Sequence, residues 1–184
     1  MIKKALVLLA DGFEDVEAIT PIDYLIRAGI EVTTVSLNQN LTVTSRWGGI
    51  KMNANITMAD LKPQEWDAVI IPGGMPGAAN IATSKEANTL IKAMAASKKL
   101  ICAICASPIV VLYPLGLLSG RNYTCHPGLE VKSTDGQWSG ENVVVDGNLI
   151  TSRGAGTAGV FSIAIIEKLL DERVAKKIAE LVLL

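Results

Sequence analysis

At 184 residues the chain has room for one domain with a substantial core and not for two ordinary ones. Hydrophobic residues make up 49% and charged residues 19%, a balance far from that of disorder and suited to buried parallel strands. The formal charge of −1, with Lys and Arg scattered, excludes the basic face of a nucleic-acid binder. Only six clustered apolar residues follow Met1-Ile2-Lys3-Lys4, too few for a signal peptide. The apolar stretch from Leu100 to Leu118 is broken by Ser107, Pro108, Pro114 and Gly116, so a strand followed by a helix is expected there and not a membrane span. Three cysteines without an export signal point to free thiols in a reducing, cytoplasmic setting.

Along the chain, strand and helix signals alternate. Ala5–Leu9 is a short apolar run ending at Asp11-Gly12, as a buried strand would be. Glu14–Ala28 carries Val16, Ile19, Ile22, Leu25 and Ile26 at helical spacing, stops at Gly29, and contains Pro21, which should kink it. Glu31–Leu37 reads as a second strand, and residues 41–60 as short irregular strands, a hairpin at the sheet edge. Ala68–Ile71 is a third core strand stopped by Pro72-Gly73-Gly74; a helix over Ser84–Ala96 and a fourth strand over Lys99–Ile104 follow. Ser107–Leu112 begins the next helix, and Tyr123–His126 reads as another strand. Val143–Ile150 predicts a hairpin with Asp146-Gly147 at its turn, and helices are predicted over Gly156–Leu170 and 172–182. This order predicts one domain over 1–184, an α/β three-layer sandwich with a doubly wound, mainly parallel sheet.

Active sites in such sheets lie beyond the carboxyl ends of the strands. That rule selects Asp11 to Glu17, Pro72 to Gly77, Cys105 to Pro108, Cys125-His126, and Ser152 to Gly156. Cys105 stands out. The strand must turn sharply into a helix there, with small Ala106 and Ser107 easing the turn and Pro108 suited to the first helical position. A thiol so placed faces a helix N-terminus, which favours thiolate. A buried structural cysteine fits the same residues equally well. Cys102 completes a C-x-x-C with Cys105 but falls inside the apolar strand, as core would; three Cys and one His lack the paired spacing of a zinc site.

Glu17 sits about one turn into the first helix and would point toward the elbow if that helix starts beyond strand one. Ionised, it would raise the thiol pKa by repulsion; protonated, it would donate a hydrogen bond to thiolate and serve as proton donor and acceptor. The competing reading is a solvated face residue, a role that suits Glu14 and Asp15 better. His126 is the only imidazole, so any His-assisted step must use it, although a lone His is more often structural. Gly73 and Gly74 supply unhindered amides that, with the Ala106 amide, would hold an oxyanion; a mere tight turn is the alternative. Gly154-Ala155-Gly156-Thr157-Ala158-Gly159 spells G-x-G-x-x-G, but only helical sequence follows, so no dinucleotide site is expected; Arg153 with Gly154 would still form an anion-binding lip.

Taken together these segments resemble the ThiJ/PfpI superfamily, specifically the branch of the parkinsonism-associated protein deglycase and its bacterial relatives. The resemblance runs through Ala5–Ala10 with Glu14 and Glu17, Arg27-Ala28-Gly29, Ile71–Gly74, Ala103–Ala106, His126-Pro127, Thr151–Gly154 and Gly156-Thr157. It implies a flavodoxin-like fold akin to class I glutamine amidotransferases, a homodimer, and a nucleophilic Cys105 hydrogen-bonded to a protonated Glu17. It implies Gly74 and Ala106 amides near the sulfur, with His126 nearby. It also implies a glyoxalase or deglycase without metal or other cofactor, acting on α-oxoaldehydes such as methylglyoxal or on their early protein adducts through a hemithioacetal on Cys105. The alternative it implies is a redox-sensing stress protein or chaperone switched by oxidation of Cys105. No nucleic acid or membrane partner is implied. Ser107 departs from the glycine common after this Cys-Ala, Ala155 from the proline of animal members, and Ala106 from the His of the protease-like branch, which argues against peptidase activity.

Overall fold

The computed structural model describes residues 2–47, 49–62 and 66–184. Its strands are β1 (Lys4–Leu9), β2 (Glu31–Ser36), β3 (Thr42–Thr44), β4 (Lys51–Asn53), β5 (Ile56–Thr57), β6 (Ala68–Ile71), β7 (Leu100–Ile104), β8 (Asn122–Tyr123), β9 (Gln137–Trp138), β10 (Val143–Asp146) and β11 (Leu149–Ser152). Seven of them form one sheet in the order β10-β11-β7-β6-β1-β2-β5. Every pair is parallel except the β10–β11 hairpin, whose turn is the predicted Asp146-Gly147. Two small pairs, β3–β4 and β8–β9, lie outside it.

The central strands read as unbroken apolar runs because helices cover both their faces. Residues 5–9, all of β6 and all of β7 are buried, and each buried Leu, Ile or Val there contributes about 1.5–3 kcal/mol. The helices are α1 (Asp15–Arg27), α2 (Gly77–Thr83), α3 (Lys85–Ala96), α4 (Ala158–Leu169) and α5 (Glu172–Leu181). Helix α1 lies against α4 and α4 against α5, while α3 covers β6 and β7. The sheet flanked by helices is the sandwich that the alternation predicts.

Several expectations are corrected. Val16, Ile19 and Ile26 of α1 are exposed, and the buried face carries Glu17, Ala18, Pro21 and Leu25 instead. The inward face holds small residues and one carboxyl where α1 meets its neighbours, which leaves the larger aliphatics outside. Glu14 and Asp15 are half-buried, and Glu14 is the N-cap of α1, accepting the Glu17 N–H at 2.8 Å. Of the strand predicted over 123–126 only Tyr123 pairs, as the second residue of β8, and its partner β9 was not foreseen. Helix α2 was not foreseen either. The hairpin expected within 41–60 is β3–β4, a separate pair rather than part of the sheet edge, which β5 closes; Gly48 of that range lies outside the described residues. Pro108–Leu112 is a single wide π-type turn, entered through Ser107.

Candidate active site

Four chain segments converge beyond the carboxyl ends of β1, β6, β7 and β11, where the sheet's winding reverses between β1 and β6. The Cys105 N–H still donates to the Ser152 carbonyl of β11 at 2.9 Å, so the residue leaves β7 fully anchored. There the chain turns. Cys105 has φ +63°, in the left-handed region, which costs an L-residue about 1–3 kcal/mol and marks a site that the surroundings impose. The Ala106 carbonyl then accepts from Ile109 and Val110 at 3.1 and 2.8 Å, starting the helical turn that Pro108 enters without an N–H to lose. The buried Ser107 Oγ–H donates to the Pro72 carbonyl at 2.6 Å and ties this elbow to the turn after β6.

That turn is built from glycines for a visible reason. A Cβ at Gly73 would stand 2.6 Å from Glu17 Oε2 and 2.7 Å from Cys105 Cβ, so any side chain would wedge the two apart. Gly74 has φ +85°, and a Cβ there would stand 2.5 Å from the Glu14 amide nitrogen. The Glu14 N–H in turn donates to the Gly73 carbonyl at 3.1 Å, which fixes the start of α1 over the β6 turn.

Glu17 is therefore delivered inward, 1% exposed, beside a Cys105 that is 9% exposed. Its Oε2 accepts the Gly73 N–H at 2.9 Å, and its carboxyl and the Cys105 thiol each shift the other's proton affinity. The Gly73 amide is thus committed to Glu17 and is not the free oxyanion donor that the sequence suggests. The Gly74 and Ala106 amides lower the thiol's pKa and remain for that role.

Burial pushes the Glu17 carboxyl from 4.5 up to about 7, against the opposing pull of its bond with Cys105. The Glu14 charge adds to the rise, while the Gly73 amide and the Arg46 charge oppose it. Burial also pushes the Cys105 thiol up to about 12, reinforced by the Glu17 carboxylate and its hydrogen bond, with the Gly74 and Ala106 amides acting the other way. This corrects the expectation of a thiolate produced by the helix N-terminus alone. Between about 7 and about 12 the pair holds one proton. The sulfur is ionised only in the form that places that proton on Glu17.

The other expected residues divide as follows. His126 is exposed; its N–H donates to the Cys105 carbonyl at 2.8 Å and its Nδ1 lies 3.0 Å from the Pro127 carbonyl. It lines an open cleft together with Arg153 and Gly154. Cys102 is fully buried within β7, and all three cysteines are unpaired. The glycine-rich segment forms a turn over Ala155–Thr157 that leads into α4, with no strand after it. Two roles have no signal in the sequence: the N-cap made by Glu14, a residue type that seldom serves as one, and the Ser107 hydroxyl bond to the Pro72 carbonyl. Among the described residues no group of three or more His, Cys, Asp or Glu is placed to hold a metal ion, and no helix is long and apolar enough to cross a membrane.

The chain is similar to known proteins over most of its length. The profile of the DJ-1/PfpI family matches residues 3–168. Protein DJ-1 homolog B of Arabidopsis thaliana is 40% identical over 163 residues, 89% of this chain, which spans only 37% of that longer protein. The glutathione-independent glyoxalase DJR-1.2 of Caenorhabditis elegans is 35% identical over 170 residues, covering 91% of this chain and 89% of its own. The solved structure of oxidized Toxoplasma gondii DJ-1 superposes with a TM-score of 0.95 at 35% identity, covering 98% of both chains.

Proposed function

This chain belongs to the DJ-1/PfpI family, and on that footing we propose that it is a glyoxalase of the glutathione-independent kind, acting on α-oxoaldehydes through Cys105. The observation that carries the reading is the buried Glu17 carboxyl, set across Gly73 from a thiol held in a left-handed turn. With the proton on Glu17, the sulfur adds to the aldehyde carbon; the S–C bond forms and Glu17 returns the proton to the new alkoxide, giving a hemithioacetal. The Gly74 and Ala106 amides face the sulfur and stabilise charge developing beside it. Glu17, now a carboxylate, takes the C1 proton to give an enediolate and delivers it to C2, while the C1 hydroxyl proton passes to the C2 oxygen, leaving a thioester of the 2-hydroxy acid. Water cleaves the thioester, releasing the acid and restoring the thiol. A carboxyl that titrates at about 7 suits both halves of this shuttle at neutral pH. His126, at the cleft, is assigned to orienting the attacking water. Early aldehyde adducts on proteins are further substrates by the same chemistry. The protein is proposed to work in the cytoplasm as a homodimer, joined through the exposed aliphatic face of α1.

Purified protein is expected to convert methylglyoxal to lactate without glutathione or added metal, followed by NMR. A wild-type rate no greater than that of Cys105→Ser would overturn the proposal. A second reading, a stress protein switched by oxidation of Cys105, shares the site, because the amides that face the sulfur would also hold a sulfinate oxygen. Glu17→Gln separates the two: turnover is lost, while oxidation of the thiol persists because Gln still donates a hydrogen bond.

A further inference from the structure

The cleft beside the reactive pair has a volume of about 310 Å³, and its walls include His126, Asn142, Arg153, Gly154 and Thr157. It adjoins the chemistry on two sides. The His126 N–H bonds the Cys105 carbonyl at 2.8 Å, and a Cβ at Gly154 would stand 3.8 Å from Glu17 Oε1. His126 and Gly154 are thus shared between the cleft wall and the shell around Cys105 and Glu17.

One charged side chain with a fixed sign lines the cleft, and it is cationic. Arg153 is half-buried and held by a single hydrogen bond, from Nη1 to the Gly140 carbonyl at 3.2 Å. Three of the other four arginines are occupied: Arg27 pairs with Asp23, Arg121 with Asp146, and Arg46 lies 4.5 Å over the Trp47 ring. Among the described residues Arg153 has no carboxylate within salt-bridge distance, and neither Asp nor Glu lines the cleft. A guanidinium presents five N–H donors in a planar fork that matches a carboxylate or phosphate, and most of that capacity is unused here. The Ala155–Thr157 turn also brings the positive end of α4 to the same wall.

We infer that Arg153 determines specificity by receiving an anion at the far end of the substrate, so that the chain prefers α-oxoaldehydes ending in a carboxylate over neutral ones such as methylglyoxal. Arg153 touches the substrate remote from the reacting carbons, and its contribution falls on binding. This assignment of substrate class rests on the glyoxalase reading, but its first test does not require turnover.

Iodoacetate and iodoacetamide both alkylate Cys105, the sulfur displacing iodide, and differ chiefly in charge. The ratio of their rate constants, iodoacetate over iodoacetamide, is expected to fall by about tenfold or more from wild type to Arg153→Gln, as loss of a charge-assisted hydrogen bond implies. Arg153→Lys should recover part of it. In the unmodified protein the same ratio should fall as NaCl is raised, because added salt screens the partly exposed cation. A ratio that neither variant nor salt moves, or equal slowing of both reagents in Arg153→Gln, overturns the inference. In the second arm 4,5-dioxopentanoate and methylglyoxal are compared as substrates of the wild type and of Arg153→Gln. The dioxo acid should have the higher kcat/KM in the wild type and lose that advantage through KM in the variant; no preference in the wild type contradicts the inference. Absence of turnover with both substrates, together with a shifted alkylation ratio, would remove the glyoxalase reading and leave anion recognition standing.

Discussion

Replacing Glu17 by Gln removes a buried acid while keeping its shape, and linkage fixes how stability must respond. The carboxyl titrates at about 7 in the folded chain against 4.5 as its ordinary value, so the native state holds its proton more tightly than the unfolded state does. An acid raised in this way contributes stability that is fully present below 4.5 and is lost as pH rises through 7. Integrated between pH 5 and pH 8, the loss is on the order of 2–3 kcal/mol. Linkage counts protons and not their address, so the figure holds whether the proton rests on oxygen or on sulfur. The neutral Gln carries no such dependence, and the Cys105 thiol, at about 12, does not titrate in the window. Urea denaturation of both proteins at half-unit steps from pH 5 to 8 should show Glu17→Gln gaining on the wild type by roughly 2–3 kcal/mol across the range. A stability difference that stays constant over those pH values would mean that Glu17 titrates as an ordinary carboxylate, and the proton-sharing argument would fail.

Two further outcomes follow from the packing around the pair. Gly73→Ala places a methyl 2.6 Å from Glu17 Oε2 and 2.7 Å from Cys105 Cβ; it should cost about 1–3 kcal/mol in thermal or urea unfolding and abolish methylglyoxal turnover, and an active, equally stable variant would refute the assignment of that contact. The exposed aliphatics of α1 should hold two copies together, so Val16→Asp with Ile19→Asp should raise the dimer dissociation constant by about tenfold or more, since each lost aliphatic contact is worth about 1.5–3 kcal/mol; sedimentation velocity showing an unchanged state, or a monomeric wild type, would count against that interface.

How much of this the sequence discloses depends on which physics each feature obeys. Ala5–Leu9, Ala68–Ile71 and Leu100–Ile104 are legible because strands buried on both faces must be apolar throughout. The elbow is legible because Cys105-Ala106-Ser107-Pro108 joins small residues to a helix-starting proline at the end of such a strand. The facing of α1 is not. Val16, Ile19 and Ile26 have helical spacing, yet the inward face is set by the close approach of Ala18 and Pro21 and by the carboxyl of Glu17. Helix α2 begins Gly77-Ala78-Ala79-Asn80, without a periodic apolar face to announce it, and its backbone closes on the Gly12 turn through the Gly77 N–H at 3.2 Å from the Gly12 carbonyl. Strands β8 and β9, two residues each, fall below any periodicity. Around the site, the sequence names Cys105, Glu17 and the glycines but not the hydrogen bonds among them. That Gly73 spends its amide on Glu17, and that burial lifts both partners of the pair, are facts of three-dimensional placement.

The account depends on Cys105 ionising by transfer of its proton to Glu17, and the pH dependence of its alkylation by iodoacetamide reads this most directly. In the wild type the rate should rise with pH to an inflection near 7 and then stay level to pH 9, because the population carrying one proton on the pair no longer changes. In Glu17→Gln the level region should vanish and the rate should follow the thiol's own ionisation. A wild-type rate climbing about tenfold per unit from pH 6 to pH 9, as an isolated thiol with an ordinary pKa would give, would contradict the account.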